Sequence, residues 1–192
     1  MMNQSRGMWF NLTYMSLLII NSTNRNNSGT AQLIQKVETL CLSFLIDFKT
    51  IQLEEFSKDL SNPNLYNEEN WPIEMIDYQE EVIIPSNKFL FIIPEYNGSF
   101  PGILKLWIDV LSVRKRSETF KFKKYGLVGI SEGKSSNQRG LDHFMGIARY
   151  LQMIAFPNNL LIPGVNKILK NWPSDEDYER RMITFLNEFE AF

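Results

Sequence analysis

Two stretches of this chain are apolar at every position over the length of a strand: Leu17–Ile20 (LLII), and Lys88–Ile93 (KFLFII) once past its lysine. A third, Tyr125–Ile130 (YGLVGI), is interrupted only by glycine. A strand with one wet face alternates apolar and polar residues, so a run that does not alternate must be covered on both faces. The segments between these runs narrow the choice further. Ala31, Leu33, Ile34, Val37, Leu40, Cys41 and Phe44 recur at helical spacing and give one buried face. Trp71–Ile84, Gly102–Val113, Gln138–Ile154 and Asp175–Glu190 also read as helices, the last capped by Ser174. Lys49–Leu53 and Leu160–Ile162 read as two shorter strands, and Glu54–Asn70 as a polar loop. Strand and helix alternate five times, which predicts an α/β fold with a five-stranded parallel sheet. Right-handed crossovers leave few topologies, and the order 2-1-3-4-5 is one of the two common ones.

In that order, ligands bind beyond the carboxyl ends of the strands, where strands 1 and 3 part. The loops that follow those strands are Asn21–Thr30 and Pro94–Pro101, the two most polar short loops in the chain. The first offers hydroxyls from Ser22, Thr23, Ser28 and Thr30 and a forked cation from Arg25. A helix follows it, with free N–H groups and a positive dipole end. This chemistry suits one phosphate, although a polar loop with an ordinary helix cap at Ser28 or Thr30 explains the same residues. Neither GxxxxGK[ST] nor GxGxxG is present.

Composition excludes several other chemistries. The 192 residues suffice for one domain, and a net charge of −2 offers no pull toward nucleic acid or anionic lipid. Cys41 is the only cysteine and His143 the only histidine, so a zinc set and an internal disulfide are not expected; a reducing, cytoplasmic setting is. No GxSxG elbow accompanies His143. Met8–Ile20 is too short and too mixed for a membrane span, and it lacks the features of a signal peptide. Residues 1–14 read as an N-terminal extension, with Met15 a candidate natural start. The basic run Arg114–Lys124 reads as a solvated helix end and loop, or else as a docking point for a nucleotide phosphate.

The second loop carries a resemblance. Pro94-Glu95-Tyr96-Asn97-Gly98-Ser99, followed by Pro101-Gly102-Ile103-Leu104-Lys105 and Ile108-Asp109, resembles the signature of the NADPH-dependent FMN reductase family. Ser22, Arg25, Ser28 and Thr30 resemble that family's phosphate loop. The resemblance implies a flavodoxin-like three-layer sandwich over residues 15–192, with FMN as cofactor and NADPH as co-substrate. Ser22, Arg25, Ser28 and Thr30 would hold the 5′-phosphate. Pro94, Glu95, Tyr96, Asn97 and Gly98 would run beneath the isoalloxazine edge, mostly through backbone groups. Tyr96 would pack on the ring or on a partner subunit, or serve only as a wall. A hydride would pass from NADPH through FMN to a quinone, flavin, azo compound or metal ion, with no acid–base side chain required. Family likeness also implies a homodimer or homotetramer.

The third loop departs from the pattern. Where the family has a glycine-rich stretch ending GG-x-R, this chain has Gly133-Lys-Ser-Ser136-Asn137-Gln-Arg139. Gly133 and Arg139 match, whereas Ser136 and Asn137 replace the glycine pair. All three of Gly133, Ser136 and Asn137 are expected near the flavin, where side chains would narrow the site, add hydrogen bonds or weaken binding. The last case motivates the alternative of a flavodoxin-like binding or regulatory module with little flavin affinity. His143 is expected at a helix surface or interface, and Lys105 and Asp109 as a pair along one helix.

Overall fold

The computed structural model describes residues 17–172 and 176–192. The proposed extension 1–14, Met15 as start and the Ser174 cap lie outside the described residues. The parallel sheet has the expected order: β2 (Phe48–Gln52), β1 (Leu17–Asn21), β3 (Lys88–Pro94), β4 (Lys124–Ser131). Beyond β4 the fifth position is occupied by two pieces. β5 (Ile154–Ala155) pairs with Lys124 and Tyr125, and β6 (Leu160–Pro163) pairs with Val128 to Ser131. The expectation of five strands with Leu160–Ile162 as the fifth is therefore corrected to six. Ile154, expected in a helix, lies in β5, because Gln152 turns left-handed (φ 62°) and ends the helix.

The central strands are as dry as their composition requires. Leu18, Ile19, Ile20, Phe89, Leu90, Phe91, Ile92 and Ile93 are all fully buried. Alternate residues serve two cores. On one face Leu18, Ile20, Phe89, Phe91 and Leu127 pack against α3 (Gly102–Leu111) and α5 (Gln138–Tyr150). On the other, Leu17, Ile19, Leu90, Ile92 and Val128 meet α1 (Gly29–Ser43), α6 (Val165–Lys170) and α7 (Glu176–Ala191). This is the three-layer arrangement.

The helix expected over Trp71–Ile84 is shorter and mixed. Two 3₁₀ turns precede it, Pro72 caps it in extended conformation, and α2 spans only Ile73–Tyr78 before a π-helical stretch, Gln79–Ile83. The widened turn coincides with a buried clamp. The Gln79 amide donates to the carbonyls of Leu111 and Arg114 and to Thr119. Those acceptors lie where α3 passes into α4 (Arg116–Phe120), a short helix inside the basic run. Arg114 and Lys115 pair with Glu80, and Arg116 lies over the Tyr150 ring. The run is thus engaged in packing. No helix among the described residues is long and apolar enough to cross a membrane.

Candidate active site

At the carboxyl ends of β1, β3, β4 and β6 lies a cavity of about 430 Å³. That is within the roughly 300–1,000 Å³ common for small-molecule sites. Arg25, Ser28 and Thr30 of the first loop line it, with Thr23 and Gly29. Pro94, Glu95, Tyr96 and Asn97 of the second loop form another wall, and Gly133 of the third loop contributes with Ser131, Glu132 and Ser135. Val165 and Asn166, at the start of α6, close the remaining side.

The first loop is arranged as an anion cradle. Ser28 is the N-cap of α1 and accepts from the Ala31 amide at 3.1 Å. Its own hydroxyl hydrogen stays free to donate. The Ser28 carbonyl takes the Gln32 amide, and no described backbone group accepts from the amides of Gly29 or Thr30. Those amides sit at the positive end of a 15-residue helix. Arg25 is exposed and makes no ion pair among the described residues, so its guanidinium is uncommitted by charge. Ser22, expected among the phosphate donors, is not among the residues that line the cavity. It is fully buried, its hydroxyl points at the Ile20 carbonyl, and its amide bonds to Ile92 of β3. It joins strands rather than facing the cavity.

The second loop is a tight turn. Tyr96 and Ser99 exchange both backbone hydrogen bonds, at 2.8 and 3.0 Å, across Asn97 and Gly98. Both central residues have positive φ, 51° and 76°, the pattern for which Asn-Gly is preferred. The Asn-Gly pair has a conformational reason before any ligand is considered. Gly98 itself lies outside the cavity lining, with the Arg139 guanidinium 3.5 Å from the position a Cβ would take. Glu95 accepts from Ser135 at 3.3 Å. The Ser99 hydroxyl lies 3.0 Å from His143 Nδ1, so His143 braces the turn from α5. Lys105 and Asp109 pair with each other as expected.

Ser136 and Asn137 differ most from expectation. Neither lines the cavity; both are almost completely buried, with successive left-handed φ of 49° and 65°. Glycine would adopt this backbone without strain, which gives a physical reason for a glycine pair at this place. Asn137 tolerates it better than most side chains. Its Nδ2 donates to the carbonyls of Ile93 and Pro94, at 3.1 and 2.9 Å. The side chain that replaces a glycine therefore fastens the start of α5 to the foot of the second loop. It acts behind the wall of the cavity and does not narrow it.

Sequence reasoning missed Val165 and Asn166. The amide of Asn166 donates to Glu132 at 2.9 Å, which ties α6 to the third loop. Their signal was positional: they follow the last strand at its carboxyl end, where the fold gathers ligand contacts. Among the described residues no group of His, Cys, Asp and Glu could hold a metal ion. Burial, aided by Glu190 and Glu38, pushes the Cys41 thiol up to about 12, far from nucleophilic use.

Comparison with known proteins bears on the fold and the family. The chain is 24% identical over 183 residues to 2-hydroxy-1,4-benzoquinone reductase of a Burkholderia species, an alignment covering 93% of this chain and 96% of that protein. It is 32% identical over 72 residues to FMN-dependent NADH:quinone oxidoreductase 3 of Halalkalibacterium halodurans, covering 38% of this chain and 33% of that one. The chain thus spans about a third of that relative's length. The flavoenzyme NAD(P)H:(acceptor) oxidoreductase of Paracoccus denitrificans has a similar fold, with a TM-score of 0.68, 16% identity, and 92% and 98% of the two chains covered. The sequence profile of NADPH-dependent FMN reductase matches residues 15–167, and the chain belongs to that family.

Proposed function

We propose that this chain is an FMN-dependent NAD(P)H oxidoreductase whose acceptor is a small molecule such as a quinone, flavin, azo compound or metal ion. The observation that carries the reading is the cradle on the first loop. An arginine without a carboxylate partner, a capping hydroxyl with its hydrogen free and two open helix amides converge on one cavity. That donor set fits a single phosphate. On the opposite wall the Glu95 carbonyl and the Asn97 N–H and carbonyl have no backbone partner among the described residues, and these would face the flat ring. When bound there, FMN would supply redox chemistry between NAD(P)H and the acceptor.

The protein's own residues then bind, orient and shield. Arg25, Ser28 and the amides of Gly29 and Thr30 would hold the phosphate, and Glu95, Tyr96 and Asn97 the ring side. Ile130 and Val165 add apolar walls that keep water away. No described side chain has to move a proton. Family membership and the cradle together favour this reading over a weak-binding regulatory module. The ground for that module was Ser136-Asn137, which lie outside the cavity. Residues 15–192 would make up one FMN-binding domain.

Absorbance tests the reading directly. Purified protein should show flavin bands or take up added FMN, and should oxidise NADPH in the presence of a quinone. A colourless protein that leaves added FMN free would overturn it. A homodimer or homotetramer is also proposed, supported by the groove between α3 and α5 where Tyr66, Ile147 and Tyr150 meet solvent. Monomeric sedimentation at micromolar concentration would refute this.

A further inference from the structure

We propose that Tyr96 is the positioning residue through which this site tells a phosphate-bearing flavin from one without phosphate. The inference rests on the FMN reading above and adds the way the phosphate is recognised. Arg25 carries the charge but sits on an exposed loop, where a long side chain samples many rotamers. Here its guanidinium carbon lies 4.4 Å from the centroid of the Tyr96 ring, so the ring face fixes the direction of the fork. The ring is itself fixed twice. Its backbone is held in the Asn97-Gly98 turn, and its hydroxyl shares a 2.5 Å hydrogen bond with Thr23. Thr23 is fully buried, and its side-chain oxygen also accepts from the Arg25 amide at 3.2 Å.

These contacts close a circuit: Thr23 holds the Arg25 backbone and the Tyr96 hydroxyl, and the Tyr96 ring holds the Arg25 guanidinium. The circuit joins the loop after β1 to the loop after β3, which no regular hydrogen bonding at this level connects. An uncharged residue on the ring side of the cavity thereby sets how well the phosphate side works.

Titrating apoprotein with FMN and with riboflavin, read by flavin fluorescence, tests this. Wild-type protein should prefer FMN. Tyr96→Leu should weaken FMN about three- to tenfold more than it weakens riboflavin, the range of a partly desolvated cation–π contact. Tyr96→Phe keeps the ring and should keep most of the preference. In an Arg25→Ala background, Tyr96→Leu should cause no further loss of preference, which holds even if the leucine shifts the turn. Equal weakening of both flavins by Tyr96→Leu, or an additive loss with Arg25→Ala, would overturn the inference while leaving the cofactor reading intact. Wild-type protein that takes up neither flavin would overturn the cofactor reading, and this inference with it.

Discussion

Adding one methyl group at Gly140 should destabilise this protein, and removing a nearby side chain should reverse the sign of that effect. A Cβ built at Gly140 falls 2.1 Å from Asn137 Oδ1, and its three nearest atoms all belong to the Asn137 side chain. Gly140→Ala must therefore expel that side chain from its place over the start of α5. The loss can be sized from Asn137→Ala. Two buried hydrogen bonds to Ile93 and Pro94 disappear, at about 1 kcal/mol each. Alanine tolerates φ of 65° less well than asparagine, by about 1 kcal/mol. Against this, Asn137 Oδ1 is buried without a partner, and deleting it returns about 1 kcal/mol. A net loss of about 2 kcal/mol is expected for Asn137→Ala, and of about 1 kcal/mol for Gly140→Ala, where alanine's helix propensity offsets part of the two lost hydrogen bonds. In the Asn137→Ala background the obstruction is gone, and alanine's helix propensity should make Gly140→Ala stabilising by up to about 1 kcal/mol. The coupling, on the order of 2 kcal/mol, is read from urea unfolding of the four proteins. If Gly140→Ala costs the same in both backgrounds, the packing described for Asn137 is wrong.

Three further outcomes are expected. Arg25→Ala combined with Ser28→Ala should lower FMN affinity at least about tenfold, the scale of one lost charged hydrogen bond, and the missing cap should lower stability by about 1 kcal/mol; flavin titration and thermal melting check the two parts. Gly98→Ala should weaken FMN binding and cost about 1 kcal/mol or more, because alanine resists φ of 76°; unchanged stability in urea would contradict the turn. Cys41 titrates at about 12 in the folded state, against about 9 unfolded, so between those values the unfolded chain has released a proton that the folded chain keeps. Stability should be unaffected by Cys41 below about pH 9 and fall above it, and Cys41→Ala should flatten that alkaline limb.

What the sequence displayed was whatever one segment can state alone. The apolar runs at Leu17 and Phe89 require burial on both faces, and burial on both faces leads to the parallel sheet and its switch point. Ser28, Arg25 and Pro94–Asn97 were legible because loop position and chemistry agreed. What was hidden depends on distant partners. Ser22 carries a hydroxyl like its neighbours, and only the pairing of β1 with β3 buries it. Ser136 and Asn137 were expected near a ligand; their burial, their left-handed backbone and the bonds from Asn137 to Ile93 and Pro94 depend on strands that the local sequence does not display. The π-helical stretch at Gln79 coincides with bonds to acceptors in and between α3 and α4, each more than thirty residues away. Helix periodicity in Gln138–Ile154 gave no hint that Gln152 would turn and send Ile154 into the sheet.

The divided fifth position has a bearing on solubility. A long outer strand presents a row of free N–H and C=O groups that invites another chain to add itself. Here that border is broken into pieces of two and four residues, with Pro157 in the break and Pro163 at the far end. Arg181 of α7 donates to the Leu161 carbonyl and occupies one of the acceptors that would otherwise recruit a strand. Such a border is a poor template for edge-to-edge aggregation.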